Sequence, residues 1–151
     1  MKIATTTDDF GYYCKTDAER IRELHRAGFR YIDLSMYSFQ PDCAYMQDGW
    51  RDAVLEIQNL ADELCMTFVQ AHSQGGNPLS DDPAHVDFLL RATIRSIEIC
   101  EMLGIKNTVV HNGFAKGISK EEWFARNKAF YEKLFSRNGK IRCKRFVRKL
   151  N

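Results

Sequence analysis

No C-x-x-C pair occurs among the five cysteines, no G-x-S-x-G motif is present, and no apolar run approaches the ~20 residues that a membrane-spanning helix needs. Each absence narrows the field. The odd cysteine count (Cys14, Cys43, Cys65, Cys100, Cys143) argues against a disulfide framework or a zinc knuckle, and two of these thiols fall in apolar helical stretches where they behave as small hydrophobes. A serine nucleophile on a strand-to-helix elbow has no support. Neither a P-loop nor a dinucleotide fingerprint occurs. The first residues do not lead from a charged segment into an apolar one, so the expected location is cytoplasmic, with no membrane partner.

What is present is 151 residues with 44% apolar content, enough to build the core of one domain. The formal charge of +2 conceals an asymmetry. Residues 136–151 hold Arg137, Lys140, Arg142, Lys144, Arg145, Arg148 and Lys149 and no acid, so residues 1–135 set 15 basic residues against 20 acidic ones and carry −5. A nucleic-acid footprint would lie across the folded body, and this distribution counts against such a partner.

Short β-like runs alternate with helical patterns. Strands are predicted at 2–7, 31–37, 67–73 and 107–113. Between the first two, Thr16 and Glu19 form a capping box, Ile21 and Leu24 share a face, and Gly28 stands where the helix should stop. Residues 50–65 place Val54, Ile57, Leu60, Ala61 and Leu64 on one helical stripe. Asp82 and Pro83 open a helix to about Leu103 with Val86, Leu90, Ile94 and Ile97 inward, and Ser119 with Glu122 opens another through about Phe135. The order is βαβαβαβα. Strands joined by crossover helices are parallel, and "AGFRYIDL" and "LGIKNTVV" repeat one punctuation, a helix-ending glycine followed by the next strand. Four such units fit half of a (β/α)8 barrel or an open doubly wound sheet.

In both architectures ligands bind beyond the carboxyl ends of the strands. Those ends read Thr6-Thr7-Asp8, Ser35-Met36-Tyr37, His72-Ser73 and His111-Asn112-Gly113. His72 is a candidate metal ligand, general acid or base, or hydrogen-bond donor, and the plain alternative is a satisfied strand-end imidazole. His111 favours a joint site, because the third and fourth strands are neighbours. Alternation puts Gln70 on the His72 face, where it either reaches a ligand or bonds to neighbours as a buried amide. Tyr37 and Asn112 complete the candidate substrate-binding set of His72, His111, Gln70, Tyr37 and Asn112. Gly75 and Gly76 precede a helix and could expose amides to a phosphate, although a flexible turn is the simpler account. His25 and His85 read as solvated helix positions.

At "YIDLSM", "VQAHS" and "TVVHNG" the chain resembles the N-terminal half of the xylose isomerase-like TIM-barrel superfamily, above all its sugar phosphate isomerase/epimerase branch, related in fold to endonuclease IV. The resemblance spans residues 1–135 and implies a parallel (βα)4 half of a TIM (β/α)8 barrel, followed by a basic tail at 136–151 outside the family fold. It further implies a sugar or sugar phosphate as substrate and a divalent metal (Mn, Mg, Co or Zn) that polarises sugar oxygens while a carboxylate moves a proton beside the carbonyl. In that branch the metal ligands come from strands five to eight, and full barrels run to about 250 residues. His72 and His111 carry over, as zinc ligands by analogy with the endonuclease branch or as pocket-lining residues by analogy with the isomerases.

The resulting expectation is a metal-assisted isomerase or epimerase present as a truncated form, with an endonuclease IV-like zinc repair barrel or a non-catalytic interaction fragment as alternatives. An open half-barrel exposes strand edges, so either a homo-oligomer or a missing C-terminal half-barrel is expected to cover them. In the tail, Cys143, Phe146, Val147 and Leu150 are spaced as one face of a short basic amphipathic helix, or the tail packs on the body or stays unfolded.

Overall fold

The computed structural model describes residues 3–137 and 145–146. Ala4–Thr6 (β1), Tyr31–Ser35 (β2), Thr67–His72 (β3) and Asn107–Val109 (β4) form one parallel sheet in chain order, with Asp17–Arg26 (α1), Trp50–Glu63 (α2), Pro83–Met102 (α3) and Lys120–Arg137 (α4) as the alternating helices. This is half of a TIM barrel. Arg145–Phe146 (β5) adds a two-residue parallel strand beside β4, so these two tail residues extend the sheet. The rest of the expected amphipathic stretch, Cys143, Val147 and Leu150 included, lies outside the described residues.

Helix starts follow the predicted chemistry. Thr16 accepts from the Glu19 amide and the Glu19 carboxylate accepts from the Lys15 and Thr16 amides, closing the capping box of α1. Asp82 caps α3 through the Ala84 amide, with Pro83 in the first turn. Ser119 accepts from the Glu122 amide at the start of α4. The core lies between the sheet and its helices. Ile32 and Leu34 of β2 are fully buried against Ile21 and Leu24 of α1 and Val54, Ile57 and Leu60 of α2. The buried face of α3 is broader than its apolar stripe suggests, because Ala92, Thr93, Ser96, Ile99 and Cys100 join Leu90 and Ile97 there. Thr93 and Ser96 achieve this by returning their hydroxyls to the Leu89 and Ala92 carbonyls.

Three helices end alike. Phe29, Met66 and Ile105 each donate to the carbonyl five residues earlier (Leu24, Ala61 and Cys100), and the residue just before each has positive φ: Gly28 at 91°, Cys65 at 52° and Gly104 at 67°. The repeated glycine punctuation is therefore a left-handed helix terminus with a third copy in which cysteine replaces glycine. Cys65 is exposed beyond the end of α2, not within the helix as its neighbours suggested. A side chain at positive φ costs about 1–2 kcal/mol. Cys65→Gly is thus expected to raise stability by about 1 kcal/mol in urea denaturation.

A second buried feature ties α1 to the segment after β2. Asp17 accepts from the Tyr45 hydroxyl (2.8 Å) and Arg20 (3.2 Å). Burial raises the Asp17 pKa against the opposing pull of Tyr45 and Arg20. Because the folded state holds this proton more tightly than the unfolded chain, the Asp17 contribution to stability falls as pH rises from its ordinary value of 3.8. Asp17→Asn is expected to remove that part of the pH dependence, as read by denaturation across roughly pH 3.5 to 7.

Candidate active site

The lumen face of the half-barrel is set by strand register. In β2 the alternation that buries Ile32 and Leu34 turns Tyr31, Asp33 and Ser35 the other way. The β2–β3 pairing shifts between Ile32 and Asp33, so that Ile32 lies opposite Phe68 but Asp33 lies opposite Gln70 and Ser35 opposite His72. This irregularity brings four polar side chains onto one patch. Asp33 is its centre: Oδ2 accepts from Gln70 Nε2 at 2.8 Å, and Oδ1 lies 3.1 Å from His72 Nδ1. A carboxylate only accepts, so Nδ1 is the protonated nitrogen of His72 and Nε2 is left for another partner.

His111 follows β4 and meets His72 across the strand boundary, with ring centroids 6.2 Å apart and planes inclined by 24°. Tyr37 stands edge-on to His111 at 5.5 Å. Together with Thr5, Thr6 and Asp8 from the first unit and Asp33 and Ser35 from the second, these three rings line an open cleft of about 500 Å³. Burial lowers the His111 pKa, and His72 pushes in the same direction. Both effects favour the neutral form of His111.

The predicted residues divide into groups. His72, His111 and Tyr37 are brought together on the cleft wall. Gln70 shares their side of the sheet but braces Asp33, and the cleft lining does not include it. Asn112 turns toward α4, where its side-chain oxygen accepts from the Tyr131 hydroxyl at 2.9 Å. Some polar strand ends stitch strands instead of facing the opening. Thr7 is fully buried and accepts from the Ser35 amide, and the Ser73 and Thr108 hydroxyls bond to each other at 2.8 Å. Asp33 was not singled out in the sequence, although a carboxylate flanked by two buried aliphatics in a strand was the available signal.

The Gly75-Gly76 turn does not offer a free pair of amides. Gly75 N–H donates to the Tyr37 carbonyl at 2.9 Å, and the Tyr37 ring lies so close that a Cβ on Gly75 would overlap it. His85 is half-buried, and its Nε2 accepts from the Asn77 amide at 3.2 Å, which corrects the solvated reading. Asn77 in turn pairs its side chain with Phe114 at both the carbonyl (2.7 Å) and the amide (2.9 Å), locking the loops that follow β3 and β4 together. His25 is half-buried on α1.

A catalytic divalent metal takes three protein ligands or more. Among the described residues no group of three or more His, Cys, Asp or Glu could hold one. His72 and His111 supply two imidazoles, while both oxygens of Asp33 are engaged by His72 and Gln70. The described donors of this half-barrel do not fit a resident metal by themselves.

The sequence profile of the xylose isomerase-like TIM barrel matches residues 21–140. The chain belongs to that family. Solved structures agree on the fold. A D-tagatose 3-epimerase-like protein superposes with a TM-score of 0.66 at 12% identity, over 90% of this chain and 48% of its own. The probable 3-DHS dehydratase AsbF of Bacillus anthracis, involved in petrobactin synthesis, superposes with a TM-score of 0.60 at 15% identity, over 91% and 50%. The chain spans about half the length of these structures. No curated protein matches the sequence. Among the described residues no helix is long and apolar enough to cross a membrane.

Proposed function

We propose that the chain is the N-terminal half of a sugar isomerase or epimerase, contributing the substrate-lining His72, His111 and Tyr37 while a complementary half-barrel contributes the metal-binding acids. The observation that carries this reading is the cleft at the carboxyl ends of the strands, in which two imidazoles from neighbouring units face one opening. Proton transfer beside a carbonyl needs the developing enediolate oxygens to be stabilised by positive charge. The chain's own part is to orient the sugar: hydroxyls on Thr6, Ser35 and Tyr37 and the two imidazoles offer hydrogen bonds around the opening. A divalent ion held by the second half would supply that positive charge.

The chemistry of the cleft supports the sugar reading over a DNA-repair barrel, because its lining carries the carboxylates Asp8 and Asp33 and, among the described residues, no lysine or arginine. A phosphodiester backbone would meet carboxylates there. Among the described residues the outer edge of β1 is unpaired in the sheet, which favours closure by a second copy or by strands five to eight of a longer chain.

The test is deuterium uptake from D2O at the carbon beside the carbonyl, followed by NMR with a panel of ketoses, aldoses and their phosphates, with Mn, Mg, Co or Zn added. Sedimentation velocity on the same sample should show a dimer or larger species. Exchange that appears on mixing with a C-terminal half-barrel of the family, and disappears in His72→Ala and His111→Ala, is the expected result. A monomer showing no exchange with any sugar or metal, even when mixed with a C-terminal half-barrel of the family, would reject the reading in favour of a non-catalytic fragment.

A further inference from the structure

We propose that this cleft recognises a neutral, hydroxyl-bearing part of a sugar and not a phosphate, and that Asp33 is the positioning residue that turns the acceptor nitrogen of His72 toward it. The inference rests on the sugar reading above and narrows it. Gln70 and His72 hold the two oxygens of Asp33 from one strand, so the carboxylate is fixed at two points and the imidazole ring cannot turn over without losing a charge-assisted bond. The Nδ1–H tautomer follows, and the lone pair of Nε2 lies on the opposite side of the ring.

The lining suits a polyol. Ser35 and Tyr37 carry hydroxyls that both donate and accept, Thr6 accepts from the Asp8 amide and keeps its own proton to donate, Thr5 is turned to Asp9, and His72 Nε2 is an acceptor for a ligand hydroxyl. The same lining opposes a phosphate. Asp8 and Asp33 are both carboxylates, no lysine or arginine lies among the lining residues described, and the nearby Gly75 amide is committed to the Tyr37 carbonyl. Lys15 and Arg20 line the adjoining cavity instead, where Arg20 is paired with Asp17. A phosphate dianion entering the cleft would face like charge without a compensating donor pair.

Long-range nitrogen–proton correlation spectra of 15N-labelled protein report the tautomer of each histidine directly. The wild-type protein is expected to show Nδ1–H at His72, and Asp33→Ala is expected to convert it to the Nε2–H form usual for free imidazole. Titration with xylitol should shift the His72 and His111 signals, inorganic phosphate should not, and Asp33→Ala should weaken xylitol binding about tenfold. An Nε2–H tautomer in the wild type overturns the role of Asp33. So does a xylitol response of equal strength in Asp33→Ala, which would leave the sugar reading intact. Phosphate shifting these signals in place of xylitol, or silence toward both, overturns the choice of ligand, while the sugar reading beneath it stands or falls with the exchange assay on the two halves together. Should Asp33→Ala fail to fold, the wild-type tautomer and the two titrations decide the matter on their own.

Discussion

Gly113→Ala is expected to cost about 2–3 kcal/mol of folding stability, because the added methyl has nowhere to go. A Cβ at this position would lie 2.6 Å from Leu79 Cγ and 2.8 Å from both the Leu79 amide nitrogen and Asn77 Oδ1. The last two belong to a loop already pinned, since Asn77 bridges to Phe114 and to His85. Relief from the other side is blocked as well. The Gly113 amide donates to Asn127 Oδ1 at 2.7 Å, and its carbonyl accepts from the Trp123 indole at 2.7 Å. The loops after β3 and β4 must therefore separate, or one of these bonds to α4 must break. Urea denaturation followed by the fluorescence of Trp50 and Trp123 reads both outcomes. A midpoint unchanged from wild type would show that the two loops are not in contact.

Gly75→Ala is expected to act on the cleft while sparing the fold. Here the obstacle is a side chain: the new methyl would overlap the Tyr37 ring, and Tyr37 is nearly half exposed, so it can swing outward. The loss is its edge contact with His111, of the order of 0.5–1.5 kcal/mol, and with it one wall of the cleft. Ligand affinity should fall about tenfold, while the loss of folding stability should not exceed that of the ring contact, about 0.5–1.5 kcal/mol. The expected signature is a change in the ring-current shifts of His111 in proton NMR. Loss of stability matching that of Gly113→Ala would mean that Tyr37 is locked in place and the Gly75 contact is structural.

These two glycines illustrate why part of the site was legible in the sequence and part was not. Helix starts at Thr16, Asp82 and Ser119 rest on bonds to amides two or three residues away, so their residue types announced them. The pairing of His72 with His111 was legible for a related reason: each closes an apolar run, and consecutive parallel strands are neighbours. Asp33 depends on the register shift between Ile32 and Asp33, which is a property of two strands together. His85 was misread as solvated, and the bond between Asn112 and Tyr131 was not foreseen, because the partners of both depend on how a loop folds back over a helix. Cys65 belongs to a motif whose glycine form was recognised twice, and its hydrogen bonds identify the third copy.

The order of strands and helices, their parallel sense and the edge at which polar residues gather all followed from the amino-acid sequence by itself, because periodicity and capping act within a few residues. Only the tertiary structure decided which atoms of that edge meet. Strand register and loop packing join residues 37 to 39 positions apart, as in Asp33 with Gln70 and His72 or Asn77 with Phe114. Such contacts are selected by the burial and hydrogen bonding of the whole sheet, which no local pattern encodes.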